Sequence, residues 1–538
     1  MAGQTSSTTL KSRYEAIIVG GGHNGLTAAG YLARAGLSVL VLERRSIVGG
    51  AAVTEDVAPG CRVSSCSYIA SMLTPAVIRD LELARYGLKM VPCDPALNMP
   101  VADGGLVRLW ANPERTAREL RPYSARDAAN YLRVDAELKK LARYLQPFFL
   151  EPPPNLAAKG HDRIFEFVRI ARRFWNFSGA DAAAMVRFLT GSLGDFLDRH
   201  FEAPETKRLF LGNNVYGKHG GPYDAGSTLG LLFHLLSGGD HGTQGFTGHV
   251  IGGMGAVTGA LAQSARDKGA TILTDAAVAE IRVRDGAVVG VALEDGREFS
   301  VPTVLSNADP KRTFLGMIDA AALDDDFRAD VAAIRMAGPA AKVNMVLSER
   351  PDITGLPKDA RPAERAVLSI MDDLEDVQRL YDKAKFGELS DDLWVDCVFP
   401  SEVDATLCPP DRFMATCFVQ YVPWKIRNGD WNERREAFGD RVVELISRCA
   451  PNVPNSVVAR KVLTPLDLQE IYGLTEGNIF HGDLNLGQLF FMRPTPEWSQ
   501  YKTPLRGLYL CGAGAHPGGG VTGAPGRNAA MAVLKGRR

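Results

Sequence analysis

Four residues near the start of the chain have types and spacing that suit phosphate recognition. Gly20, Gly22 and Gly25 fit G-x-G-x-x-G, and Glu43 follows at about the 20-residue interval expected of a ribose-binding acid. The first two glycines let backbone turn tightly against a pyrophosphate, and the third lets a helix pack on a strand. His23 and Asn24 stand inside the same turn, where a helix begins and its free N–H groups face the phosphates. The Glu43 carboxylate, with Arg44 beside it, can accept hydrogen bonds from both ribose hydroxyls. A dinucleotide is the guest this set predicts, with a plain structural turn as the competing reading.

Other residues offer acid–base chemistry. No nucleophile triad or carboxylate dyad is legible, which leaves histidines as proton carriers: His516 first, then His219 and His481. His234, His241 and His249 are scattered without ligand spacing, and none of the eight cysteines forms C-x-x-C, so no metal site is expected. Cys61 and Cys66 are the closest pair, but their spacing speaks against a redox disulfide.

The elements that must hold these residues follow from local pattern. Ala16 to Val19 is an apolar strand, a helical pattern starts near Asn24 and closes at Gly36, and Val39 to Leu42 is a second strand ending at Glu43. Gly49 and Gly50 then make a second glycine turn, which an NAD-binding unit does not require. Near the far end, Gly507 to Leu510 reads as a strand running into a glycine-rich turn, Cys511 to Gly523, and a small-residue helix. Gly252 to Gly255 opens another helix, but with no adequate strand before it this reads as a structural turn. Asp285-Gly286 and Asp295-Gly296 mark hairpins in a meander from Val278 to Val301. The stretch Pro75 to Tyr86 is predicted helical, as is Ser124 to Leu145, broken by Pro152 to Pro154. Ile164 to Phe177 mixes aromatics with Arg169, Arg172 and Arg173. It reads first as a packed helix with a solvated arginine face and second as a helix lying on a membrane surface.

The motifs GGGHNGL at Gly20 to Leu26, ERRSIVGGAAVTE at Glu43 to Glu55, GGMGA at Gly252 to Ala256 and GLYLCGAGAHPGGGVTGAPGRNAA at Gly507 to Ala530 together resemble a known superfamily. It is that of the phytoene desaturases, carotenoid isomerases and retinol saturases, FAD-dependent oxidoreductases of amine oxidase and desaturase type. Thr464-Pro465, Gly477 to Gly482 and Gln488 to Pro494 follow the same pattern, and the likeness spans the chain after Arg13. In such flavoproteins the second glycine turn lies along the pyrophosphate and ribityl chain, which favours FAD over NAD. The resemblance implies that Gly20, Gly22 and Gly25 hold the pyrophosphate, Glu43 the ribose, Gly50 with Ala51 the ribityl side, and Val278 the adenine. Gly512, Gly514, Gly520, Val521 and Thr522 would lie by the isoalloxazine, where N–H groups stabilise negative charge on reduced flavin.

The expected fold is α/β, a discontinuous Rossmann-type FAD-binding domain with a mixed-sheet and helical substrate domain. Residues 14–75, 245–310 and 455–538 are assigned to the first, 76–244 and 311–454 to the second, and 1–13 to a disordered tail. A chain of 538 residues accommodates both. The expected reaction is hydride transfer to or from flavin N5 on a hydrophobic, unsaturated small molecule: desaturation, saturation or double-bond isomerisation. Amine oxidation and a non-catalytic FAD-containing binding protein are the alternatives. A formal net charge of -1 gives no electrostatic case for nucleic acid. No apolar run reaches the roughly 18 residues of a bilayer span. The expected setting is cytoplasmic, or mitochondrial in a eukaryote, with peripheral membrane contact left open; oligomeric state is not legible.

Overall fold

A computed structural model describes residues 10, 11, 13–155, 157–211, 217–237 and 247–537, so His241 and most of the expected tail lie outside the described residues. Its first sheet has five strands in the order Leu508–Leu510, Val304–Ser306, Ala16–Val19, Val39–Leu42 and Thr271–Leu273. All pair in parallel. Ala16–Val19 and Val39–Leu42 are buried along their whole length, the apolar requirement of a parallel sheet covered on both faces. Between them runs the helix His23–Arg34, packed against the helix Met254–Asp267 and the last helix, Ala524–Gly536. The meander forms as Val278–Arg284, Ala287–Leu293 and Glu298–Ser300. Asp285 and Gly286 take φ of 51° and 69° at its first turn, the backbone that a tight right-twisted hairpin requires.

The second sheet has seven strands: Val457–Leu463, Ala340–Leu347, Phe413–Gln420, Trp394–Val398, Val367–Ile370, Leu97–Pro100 and Leu106–Leu109. Side chains alternate in the strands Ala340–Leu347, Phe413–Gln420 and Trp394–Val398. Ala341, Val343, Met345, Cys397 and Cys417 pack with Phe438, Val442 and Leu445 of the helix Trp431–Ser447. The opposite face carries Lys342, Phe418 and Asp396, placed side by side by the registers Lys342↔Phe418 and Asp396↔Phe418. Val457–Leu463 pairs with Ala340–Leu347. That stretch, assigned from sequence to the nucleotide-binding domain, therefore sits in the other sheet, through a pairing partner over a hundred residues earlier that local pattern does not reveal.

The helices depart from expectation in two places. Pro75 to Tyr86 is not continuous: Pro75–Asp80 ends at Leu81, and Glu82 takes φ of 56° before a short turn, Leu83–Tyr86. Gly160–Arg173 has no buried residue, so the packed-helix reading is overturned. The long helix Ala125–Phe149 behaves as expected of a buried element, capped by Ser124 and burying Tyr131, Val134, Leu138, Leu141 and Leu145 at alternating three- and four-residue steps.

Candidate functional site

A single cavity of about 580 Å³ runs from the glycine turns of the first sheet to the polar face of the second. At Gly20 the chain leaves its strand with φ of 96°, and Gly20 N donates to Leu42 O at 2.8 Å. A Cβ on Gly25 would lie 2.2 Å from Gly20 O, so only glycine lets the helix seat on the strand. That helix starts at Gly22 with no capping side chain and no acid in its first turn, which leaves its N–H groups for an anion. Glu43 is buried, its Oε2 accepting from Gly21 N at 2.7 Å and its Oε1 from Arg45 N at 2.9 Å. The second glycine turn is tied to the first, Gly49 N donating to Gly21 O at 2.9 Å.

Eleven of the cofactor residues predicted from sequence line this cavity. Gly20, Gly22, His23, Asn24, Glu43 and Arg44 do so on the first motif. Gly50 and Ala51 follow on the second turn, Val278 on the meander, and Gly520 with Val521 on the C-terminal segment. Gly25, Gly512, Gly514 and Thr522 stand behind the wall. Cβ atoms on Gly512 and Gly514 would meet Asn307 O at 2.6 Å and Pro310 Cδ at 2.5 Å, and Thr522 Oγ1 accepts from Ala524 N at the start of the last helix. His23 Nε2 lies 3.0 Å from Gly520 O and donates to it, joining the two glycine segments directly. The uncapped helix, buried carboxylate and glycine approaches fit the pyrophosphate and ribose of a dinucleotide. The turn before Met254–Asp267 does not: Gly252 N donates to Asp404 Oδ2, Met254 N to Ser64 Oγ and Gly255 N to Thr54 Oγ1, so its amides are already taken.

The far wall holds residues that the sequence reading missed. Lys342 is buried and donates to Thr416 Oγ1 at 2.7 Å, and its Nζ sits 3.9 Å from the centroid of the Tyr68 ring. Tyr68 stacks on Phe418 and donates from its hydroxyl to Asp396 Oδ2 at 2.7 Å. Burial pulls the Lys342 ammonium down to about 8. Lys218, whose Nζ donates to Gly226 O at 2.9 Å, is lowered to about 8 for the same reason. The available signal was a lone cation in the apolar strand AAKVNMVL.

The three histidines separate. His516 does not reach the main cavity: it lines a smaller apolar one with Phe148, Phe233 and Phe490, and its Nε2 donates to Phe148 O at 2.7 Å. Its turn was expected to face the flavin, but the ring is turned to the long helix instead. His219 also lies outside the main lining, its Nδ1 3.1 Å from Tyr381 Oη and 3.3 Å from Arg335 Nη1. His481 does line the main cavity, is lowered by burial, and has no hydrogen-bond partner for Nδ1 among the described residues. Arg493 fixes its loop, donating to Gly482 O, Asp483 O and Gln488 O on one side and Ala513 O on the other.

Residues 25–534 match the family described as flavin containing amine oxidoreductase. The chain belongs to that family. This flavoprotein is 36% identical to pyridine nucleotide-disulfide oxidoreductase domain-containing protein 2 of Mus musculus, across 98% of this chain and 94% of the relative. It is 25% identical to one of the subunits of limonene dehydrogenase from Castellaniella defragrans, across 97% and 94%. Among solved structures, a putrescine oxidase variant superposes with a TM-score of 0.62 at 16% identity, covering 98% of this chain and 99% of that one. The flavoprotein is thus an FAD-dependent oxidoreductase with the fold expected from its motifs. Among its described residues, no helix is long and apolar enough to cross a membrane.

Proposed function

We propose that this flavoprotein transfers a hydride between FAD and a carbon of a hydrophobic, unsaturated small molecule, in desaturation, saturation or double-bond isomerisation. The seat of Lys342 carries the reading. Its ammonium already covers the Tyr68 ring, so a substrate ammonium seeking that aromatic face would meet like charge. Ile69, Met72, Leu97, Val367, Ile479 and Leu484 add an apolar wall suited to hydrocarbon. A relative named for limonene dehydrogenation supports it. Amine oxidation is the second reading, favoured by the family description and by Asp396 as a carboxylate on the same wall.

Desaturation takes a hydride and a proton from neighbouring carbons. Bound FAD, held by the glycine turns and Glu43, supplies the hydride acceptor. His481 accepts the proton: burial keeps its imidazole neutral, and Nδ1 is otherwise unengaged among the described residues. In the reverse direction the same imidazole, now carrying the proton, returns it to the neighbouring carbon. Tyr68 and Phe418, stacked on each other, give the substrate one aromatic surface of the cavity wall to lie against.

Anaerobic mixing with hydrophobic alkenes, a monoterpene and a carotenoid among them, should bleach the oxidised flavin and yield a product with one more double bond by mass spectrometry. Peroxide release with amines in air, and no bleaching by alkenes, would transfer the assignment to amine oxidation. His481→Gln should keep its flavin and bleach about 100-fold more slowly, whereas His516→Gln should bleach at the parental rate. Parental bleaching by His481→Gln removes that residue from the chemistry.

A further inference from the structure

The helix Gly160–Arg173 is amphipathic with its faces reversed. Phe167 is 77% exposed, Phe165 68%, Ile164 65% and Val168 49%, and Trp175 just beyond the helix is 83% exposed. Ile164, Phe167, Val168, Ala171 and Trp175 recur at helical spacing and make one outward stripe. The polar side turns to the protein instead. Arg169 donates to Glu166 at 2.8 Å and to Pro153 O at 3.4 Å, and Arg173 pairs with Glu151. Phe174 anchors the end, stacking on Phe148 of the long helix at 6.0 Å between ring centroids.

A globular surface does not leave such a stripe in water without a partner. From Lys159 to Trp175 there are five Lys and Arg residues against two carboxylates, on a chain whose net charge is -1. Lys159, Arg163 and Arg172 are exposed and make no ion pair among the described residues. Arg163 and Arg172 fall on opposite borders of the apolar stripe at helical spacing. Cations bordering an aromatic stripe are the arrangement in which a helix lies in the plane of a bilayer, rings among the acyl chains and guanidinium groups at the headgroups. A helix of 14 residues, about 21 Å long, lies flat without spanning.

We infer that Gly160–Arg173, with Trp175, docks this flavoprotein on an anionic lipid bilayer. Phe148 lines the smaller apolar cavity, and Phe233 lines both that cavity and the main one, so the docked helix stands beside a continuous run of apolar side chains leading inward. Docking itself is independent of the substrate, because it is read without turnover.

Flotation of the flavin-loaded protein tests this, with vesicles of phosphatidylcholine alone and of phosphatidylcholine mixed with phosphatidylglycerol. The parent should float with the mixed vesicles and lose most of that binding with phosphatidylcholine alone or at high salt. Phe167→Asp combined with Trp175→Asp should reduce vesicle binding at least about tenfold. Arg163→Gln combined with Arg172→Gln should weaken only the anionic preference. All four positions are exposed, and flavin content with melting temperature checks that each variant is folded. A parent that stays at the bottom of the gradient, or an aspartate variant that floats as well as the parent, overturns the inference. So does sedimentation velocity showing a parental dimer that the aspartate substitutions dissociate, which would assign the stripe to a second copy of the chain.

Discussion

Lys342 keeps an ammonium where desolvation opposes it, so its titration reports its surroundings. Its folded-state value is about 8 against an ordinary 10.5, and the folded chain therefore gives up this proton first as pH rises. Between those values the unfolded state holds more protons, so the residue's contribution to stability improves with pH. Lys342→Met has no such dependence. The variant's stability advantage over the parent should shrink by about 3 kcal/mol from pH 8 to 10.5, as urea titrations across that range would measure; a constant difference would mean that Lys342 is not desolvated. The apolar run around it is plain in the sequence, but a charged residue within such a run does not say which face it takes. Its partners Tyr68 and Asp396 lie on other elements. His516 shows the converse: its glycine-rich setting was legible, while its ring direction depends on the Phe148 carbonyl, 368 residues away.

The strand–helix–strand unit is local, and for that reason short-range pattern revealed it within a residue or so. Its glycine spacing encodes a contact, since a Cβ at Gly25 would come 2.2 Å from a backbone oxygen that cannot move aside cheaply. Gly25→Ala should destabilise the protein by about 1–3 kcal/mol and lose FAD during gel filtration, read as the flavin-to-protein absorbance ratio. Full flavin retention would mean that the helix can shift on its strand. The outer helix was misread by the same local logic, because its composition suits either a packed or a surface helix. Which side turns inward is settled by Glu151 and Pro153, which come from the preceding segment. Residues 457–463, grouped from sequence with the nucleotide-binding domain, pair in the second sheet for a similar reason: local pattern does not name a strand's partner.

At the scale of the molecule, the first sheet gathers strands from residues 16–19, 39–42, 271–273, 304–306 and 508–510, with the second sheet built from the intervening chain. The motifs at the two extremes made the discontinuous plan legible, while the join between sheets followed only from pairing. Because the cavity is lined from Val19 to Val521, FAD should stabilise both extremes together. Limited proteolysis of flavin-stripped protein should cut near both glycine segments, and added FAD should protect both in parallel. Protection of one alone would mean that the second segment does not contact the cofactor. The His23–Gly520 hydrogen bond also has a meaning in time, since its partners are 497 residues apart. A ribosome adding about 5–20 residues per second presents the first glycine motif roughly 25 to 100 seconds before its counterpart. The nascent chain spends that interval with half a cradle, and closure of both halves on the flavin is an event of the nearly finished polypeptide.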